Sequence, residues 1–141
     1  MRQFFLYILI SLFLFSCSNI SIPPFFKKFA RKTEVLYYKN GCEKSSVSFF
    51  GNKFDGPMLN WDEDCNLISE TNYENGKLHG YWREYYSNGQ LMHTIKYFYG
   101  QKNGYERWYY KNGTVKSEVL YEYDVEKTPM LSWDESGKIL N

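Results

Sequence analysis

The chain has 141 residues, of which 21% are aromatic, and a formal net charge of +1. This length favours one domain, and the low alanine and high aromatic content argue against a helical bundle. From Glu34 onward the chain carries 12 Lys or Arg against 16 Asp or Glu, a net charge of −4. No nucleic-acid binding is expected there, because neutralising phosphates requires a clustered positive surface.

Residues 1–16 are predicted to be a signal peptide rather than part of the fold. One basic residue precedes a nearly unbroken apolar run from Phe4 to Phe15, and Cys17 follows directly after Ser16. This arrangement resembles a bacterial lipoprotein signal. The resemblance implies that Cys17 is lipidated, as by palmitate, and that it becomes the new N-terminus. The protein would then be lipid-anchored in the bacterial cell envelope, at the outer membrane if the host has two membranes.

Two alternatives to this signal remain open. An uncleaved transmembrane anchor would need about 20 apolar residues, and this run is shorter. A conventional secretory signal would need a small-x-small cleavage site, and none precedes Ser18.

Residues 17–33 are predicted to form a short basic tether behind the lipid. Pro23 and Pro24 exclude a helix there and favour an extended chain. The segment from Phe25 to Lys32 mixes three phenylalanines with four cations, which suits an anionic membrane surface. A solvated linker is the alternative.

Residues 34–141 are organised by a 24-residue interval. The stretch Tyr85-Tyr86-Ser87-Asn88-Gly89 recurs as Tyr109-Tyr110-Lys111-Asn112-Gly113. Further columns with the same interval are Gly56, Gly80 and Gly104; Phe49, Tyr73, Tyr97 and Tyr121; and Leu67, Leu91, Val115 and Ile139. Such repetition is typical of repeat proteins, whose units bury their apolar faces against their neighbours. The sequence predicts an all-β fold, an antiparallel meander of stacked β-hairpins with 24-residue units.

The two best-matching units are predicted to contain hairpins that turn at Asn88-Gly89 and Asn112-Gly113, since Asn-Gly is a strong turn signal between alternating apolar runs. On the return strand, the positions predicted to share a buried face are Leu91, His93, Ile95 and Tyr97, followed one unit later by Val115, Ser117, Val119 and Tyr121. The outgoing strand has two possible registers. A two-residue type I′ turn would place Trp82 and Tyr86 with Leu91, whereas a glycine bulge would place Tyr81 and Tyr85 there.

Cys42 and Cys65 are the cysteines left after Cys17. Antiparallel pairing about residue 53 would bring them together, and an oxidising envelope would permit a disulfide. Two free thiols are the alternative. A metal site is not expected with two thiols and no nearby histidine.

The repeat resembles the bacterial variant of the MORN repeat, with the pattern G-x-W-x-x-Y-Y-x-N-G-x-L and a later tyrosine and glycine. The matching residues are Gly80, Trp82, Tyr85, Tyr86, Asn88, Gly89, Leu91, Tyr97, Gly100 and Gly104. The next unit repeats the pattern at Gly104, Tyr109, Tyr110, Asn112, Gly113, Val115 and Tyr121, but has Glu106 where tryptophan is usual. The resemblance implies stacked hairpins used for protein or membrane association, and related bacterial proteins are often labelled antitoxin components. It brings no catalytic residues.

An enzyme is not expected, and neither is a cofactor or a metal. His79 and His93 have no patterned acid or nucleophile beside them, and Asp62, Glu63 and Asp64 follow one another as acids in solvated turns do. The glycines fall at hairpin turns and none opens a predicted helix, so there is no loop to cradle a phosphate.

The predicted function is that of a lipid-anchored cell-envelope repeat protein acting as a protein–protein or membrane-associated interaction module. The membrane is contacted through lipidated Cys17, and an unidentified protein is the expected partner. The candidate partner-binding residues are Trp82, Tyr85, Tyr86, Trp108, Tyr109 and Tyr110. The alternatives are an antitoxin-like partner that neutralises a toxin, and carbohydrate or peptidoglycan binding through exposed aromatic columns. Within each tyrosine pair, one ring is expected to be structural and the other functional.

Overall fold

The structure, a computed structural model, describes residues 30–140. Over these residues the chain forms one antiparallel sheet of 13 strands, which confirms the predicted all-β meander. The strands are β1 Arg31–Tyr37, β2 Glu43–Phe50, β3 Lys53–Trp61, β4 Leu67–Glu74, β5 Lys77–Leu78, β6 Gly80–Tyr85, β7 Leu91–Phe98, β8 Gln101–Lys102, β9 Gly104–Tyr109, β10 Val115–Glu122, β11 Val125–Glu126, β12 Leu131–Trp133 and β13 Ile139–Leu140. Within this range, no helix has the length and apolar character needed to cross a membrane.

The predicted signal peptide, the lipidated Cys17 and most of the predicted tether lie outside the described residues. The sheet begins at Arg31 rather than at residue 34, because the residues from Arg31 to Thr33 already pair with β2. The end of the 17–33 segment therefore belongs to the sheet.

The strands follow the chain in a simple order. Neighbours in the sheet are β1-β2-β3-β4-β6-β7-β9-β10-β12-β13, while β5, β8 and β11 fold back onto β4, β7 and β10. A complete unit therefore contributes a long outgoing strand, a long return strand and a two-residue strand. The sheet grows along one direction by hydrogen bonding each unit to the next.

The turns at Asn88-Gly89 and Asn112-Gly113 are glycine-bulge turns. In the third unit, Gly89 N donates to Tyr86 O at 2.8 Å and Tyr86 N donates to Gln90 O at 2.8 Å. Gly89 has a φ of +80°, whereas Asn88 stays in the ordinary region. Asn88 instead accepts a hydrogen bond on its side chain from Gln90 N at 3.1 Å. The three-residue loop with one left-handed glycine is thus the second of the two predicted alternatives.

A second irregularity then resets the register. Tyr85 lies opposite Leu91, as the glycine bulge requires, but Glu84 lies opposite His93 and Trp82 opposite Ile95. The extra residue in β7 moves the remaining side chains of β6 to the other face. Consequently Trp82, and not Tyr81, shares the face of His93 and Ile95. We call this the His93 face and the opposite one the Thr94 face.

The buried part of the sheet is small and central. In the described part of the chain four residues are buried, namely His93, Thr94, Ile95 and Val119, and the exposed fractions of Ile95 and Val119 are 1% and 2%. Three of these belong to the set predicted to bury. Most other side chains of the sheet are half-buried, because a single layer has no second layer to cover it.

Hydrogen bonds from side chains connect successive units. The hydroxyl of Tyr38 donates to Trp61 O, that of Tyr86 to Tyr109 O, and that of Tyr110 to Trp133 O, at 2.9, 2.7 and 2.9 Å. The second tyrosine of each pair is therefore the structural one.

We expect Tyr110→Phe to lower the free energy of unfolding by about 1 kcal/mol, because the half-buried carbonyl of Trp133 loses its donor. Urea unfolding measures the change. Tyr105→Phe is the matched control, since this ring is exposed and the change should stay within about 0.5 kcal/mol. Equal midpoints for the two variants would contradict the structural role.

A disulfide joins the first two units. Cys42 and Cys65 are bonded with their Cα atoms 5.3 Å apart and 23 positions apart in sequence. Cys65 has a φ of +65° and occupies the turn position that glycine takes in the other units. In this second unit Asp62 completes the turn by accepting hydrogen bonds from Asp64 N and Asn66 N at 3.0 and 2.8 Å.

Candidate interaction surfaces

Most of the six aromatic residues predicted to bind a partner are half-buried or hydrogen-bonded within the sheet. Tyr86 and Tyr110 make the hydrogen bonds between units, and Tyr85 and Tyr109 are half-buried. Burial, followed by the charge of Glu70, raises the pKa of Tyr85. Trp82 and Trp108 lie on the His93 face. Of the six, Trp108 is the exposed one, at 39%.

Trp108 covers a polar cluster at the centre of the sheet. Its ring stacks on His93 with 4.1 Å between centroids, and Trp82 meets the same imidazole edge-on at 6.3 Å. His93 Nε2 lies 3.0 Å from Glu106 Oε1, in hydrogen-bonding contact, and Nδ1 lies 3.2 Å from Glu84 Oε2. The sequence pattern left His93 without a partner, because the strand register that brings Glu84 and Glu106 beside it could not be predicted.

Glu106 is held ionised by its neighbours. Burial raises the pKa of this carboxyl, but hydrogen bonds from Lys102 and His93 and their charges outweigh it, and the resulting pKa is below the ordinary value. Lys102 Nζ lies 2.8 Å from Glu106 Oε2, and this contact raises the pKa of the lysine against the opposing effect of burial. The glutamate where tryptophan is usual therefore serves to satisfy His93 and Lys102. We assign this cluster to stabilising the sheet.

Three exposed rings, with the half-buried ring of His79 beside them, lie at one edge of the sheet near the turns before β8 and β11. We call this group the aromatic edge, and it consists of His79, Phe98, Tyr99 and Tyr123. Ring centroids are 4.6 Å apart for His79 and Tyr99, 4.9 Å for Phe98 and Tyr99, and 6.3 Å for Phe98 and Tyr123. Contiguous exposed apolar surface of this kind is typical of an interaction site.

The tyrosines of the aromatic edge sit in a conformation that tyrosine seldom adopts. Tyr99 has a φ of +48° and Tyr123 a φ of +49°, each at the first position of a two-residue turn whose second residue is also left-handed. Such type I′ turns favour Asn and Gly, as at Asn75-Gly76 one unit earlier. The rings are nevertheless 41% and 51% exposed. Backbone strain at exposed side chains is more common at functional sites than elsewhere.

Backbone hydrogen bonds fix both turns to the preceding unit. Gly100 N donates to Leu78 O at 2.7 Å, and Asp124 N donates to Lys102 O at 3.0 Å. The rings of Tyr99 and Tyr123 are therefore presented on rigid supports. These two tyrosines are not among the residues predicted from the sequence, because the Tyr-Tyr pairs form the stronger repeated pattern. The signal that could have found them is a tyrosine at a turn position held by Asn in the previous unit.

On the Thr94 face, exposed tyrosines are paired with arginines at the 24-residue interval. The guanidinium of Arg83 lies 4.7 Å from the ring centroid of Tyr81, and that of Arg107 lies 4.6 Å from Tyr105. Arg83 is ion-paired with Glu70, and Arg107 with Glu118 in the same way. These contacts order the tyrosines on this face.

The fold and the exposed edge together define a class of protein, an open antiparallel sheet of hairpin repeats that presents its turns to solvent. Comparison with known families agrees. Residues 78–98 and 102–123 match the family model described as the MORN repeat variant. The match covers the third and fourth units, on which the sequence resemblance rested, and confirms it there. No curated protein matches the chain.

Proposed function

We propose that the chain is a lipid-anchored repeat protein of the bacterial cell envelope that acts as an interaction module, with the aromatic edge as its contact surface. The observation that carries the proposal is the pair of exposed, left-handed tyrosines, Tyr99 and Tyr123. The hydroxyl of Tyr99 donates to Glu74 at 2.9 Å and orients the ring, yet Tyr99 and Tyr123 remain 41% and 51% exposed in a backbone conformation that costs free energy. Tyrosine is also among the residues that dominate protein contacts.

The chain enters the sheet at the aromatic edge, so an anchor on Cys17 would act at that edge. Arg31 pairs with Phe50, directly before the turn that joins β2 to β3. That turn precedes the two tyrosine turns by whole 24-residue intervals, so β1 begins at the same edge of the sheet as the exposed rings. The 14 residues from Cys17 to Arg31 span at most about 50 Å. A lipid on Cys17 would keep the aromatic edge within that distance of the bilayer.

Anchoring is tested separately from partner binding. Cells fed an alkyne analogue of palmitate should label the wild-type chain, and Cys17→Ser should abolish the label and release the protein from the membrane fraction. A labelled, membrane-bound Cys17→Ser variant would contradict the lipid assignment.

The contact surface is tested by in-cell crosslinking with a double variant, Tyr99→Ser with Tyr123→Ser. We expect the crosslinked partner to be lost. Tyr81→Ser with Tyr105→Ser is the matched control, because these tyrosines are each 42% exposed but lie on the Thr94 face. Loss in the control and not in the edge variant would contradict the assignment. Wild-type protein that sediments with purified peptidoglycan, when the edge variant does not, would make the ligand a glycan.

A further inference from the structure

The two ends of the described sheet expose positions that are half-buried in other units of the repeat. Tyr37, in the first unit, is 60% exposed. The residues at the same position in later units are half-buried, namely Trp61, Tyr85, Tyr109 and Trp133. Ile139, in the fifth unit, is 52% exposed. The apolar residues at its position in earlier units are half-buried, namely Leu67, Leu91 and Val115. Because neighbouring units of a repeat protein cover one another, each end of this sheet lacks a cover on its outer side.

Each end also has a free strand edge. Within residues 30–140, β1 pairs with β2 and β13 pairs with β12, and neither has a strand on its other side. Leu140, beside Ile139 in β13, is 51% exposed. A strand edge with exposed apolar side chains can take up a further strand by hydrogen bonding, which is the step that builds the interior of this sheet.

The order of strands in the repeat shows which end fits which. Between units, a return strand pairs with the outgoing strand of the unit that follows, as β7 pairs with β9 and β10 with β12. The last strand of the described sheet, β13, is a return strand, and the first, β1, is an outgoing strand. The C-terminal end of the sheet in one copy therefore matches the N-terminal end in another, in the way that successive units match.

The turns bring opposite charges to such a junction. In the fourth unit the ammonium group of Lys111 lies 5.8 Å from the ring centroid of Tyr86, in the turn of the preceding unit. The residue three intervals before Lys111 is Lys39, in the first unit, and the residue two intervals after Tyr86 is Asp134, in the fifth. A fifth unit set before a first unit in the same geometry therefore places the lysine against the aspartate.

Both charged groups are available for this contact. Lys39 forms no ion pair with a described residue, although Glu63 borders the same depression. The hydroxyl of Ser136 and the backbone N of Lys138 donate to Asp134 Oδ1 at 2.6 and 3.0 Å, and these bonds lower the pKa of the carboxyl. Asp134 is therefore ionised at neutral pH, and no residue in the described part of the chain donates to its Oδ2.

We propose that copies of this chain associate head to tail, with the fifth unit of one copy set before the first unit of the next. β13 takes the place of a preceding return strand beside β1, and Ile139 and Tyr37 are covered as the equivalent residues are within one chain. Lys39 of the second copy forms an ion pair with Asp134 of the first. The two surfaces differ, so the contact is heterologous and the same step repeats into a row of copies.

This association goes beyond the proposed function and does not use the aromatic edge. A row of copies continues the sheet in its own direction, so every copy keeps its tyrosine turns and its chain entry on the same side. The aromatic edges of successive copies then lie side by side.

Tagged copies of the full-length protein test the contact. Copies with two different tags are co-expressed, the membranes are solubilised in detergent, and the recovery of one tag with the other is measured. Tyr37→Asp alters the head and Ile139→Lys alters the tail. Each variant should keep the wild-type circular dichroism spectrum, because the replaced side chain is exposed. Within each variant, recovery of the second tag should fall about tenfold below wild type.

Mixing the variants separates a head-to-tail contact from any other. Tyr37→Asp with one tag retains an intact tail, and Ile139→Lys with the other tag retains an intact head, so this pair should restore recovery to within about threefold of wild type. Tyr105→Asp is the matched control, since it makes the same substitution at a tyrosine that is 42% exposed in the fourth unit, away from both ends. Its recovery should equal that of wild type.

The proposal is overturned by absence of recovery in wild type, by equal losses in Tyr105→Asp and Tyr37→Asp, or by a mixture that recovers no more than the single variants. Wild-type recovery for either variant alone also overturns it, since a contact between two heads or two tails needs only one intact kind of end. The proposed function is tested separately, because Tyr37→Asp should still be crosslinked to the native partner through Tyr99 and Tyr123.

Discussion

Ile95→Ala is expected to lower the free energy of unfolding by about 2–5 kcal/mol. Ile95 is 1% exposed in β7, a strand that pairs with β6 of its own unit and with β9 of the next. Truncation removes buried methyl groups and leaves a cavity that a hydrogen-bonded sheet closes only in part. Because a domain of this size is stable by about 5–15 kcal/mol, the loss is a large fraction of the total.

Urea unfolding followed by tryptophan fluorescence measures this change. Leu36→Ala is the control, since Leu36 is exposed at the edge strand and should change stability by no more than about 0.5 kcal/mol. Similar losses for both variants would mean that the centre of β7 is not the core of the sheet.

Removing the disulfide, by Cys42→Ser with Cys65→Ser, is expected to cost about 3 kcal/mol. In the chain-entropy description, a crosslink over 23 positions restricts the unfolded chain by about this amount. The bond connects the turns of the first two units, so the loss should fall on the N-terminal end of the sheet first.

Unfolding in urea with and without a reducing agent gives the magnitude, and the double serine variant should not respond to the reducing agent. Hydrogen exchange should show faster opening of β1 and β2 than of β7. Free thiols in the oxidised wild-type protein, titrated under denaturing conditions, would contradict the bond.

The sheet could be predicted from the sequence because several independent sets of positions repeat with the same interval. Glycine, tyrosine and leucine positions recur together every 24 residues, and a register shared by three columns leaves little freedom in how hairpins stack. The buried positions His93, Ile95 and Val119 followed from the alternation within the return strands.

The faces of the outgoing strands could not be predicted in the same way. A shift of one residue exchanges the two faces, and here two irregularities succeed each other, one at Gly89 and one opposite Tyr85. The irregularity opposite Tyr85 is not accompanied by any residue type that would indicate it in the sequence. Exposed rings were expected in the Tyr-Tyr pairs, but those four tyrosines are half-buried, and the exposed ones are Tyr81, Tyr99, Tyr105 and Tyr123.

The hydrogen bonds of the turn tyrosines are interrupted at one boundary of the described sheet. Tyr38 donates to the second unit, Tyr86 to the fourth and Tyr110 to the fifth. The second unit has Asp62 at this position, and its carboxylate accepts hydrogen bonds within its own turn. The second and third units are instead joined at the aromatic edge, where the hydroxyl of Tyr99 donates to Glu74 at 2.9 Å. A partner that displaced this hydroxyl would therefore loosen the boundary that no turn tyrosine crosses.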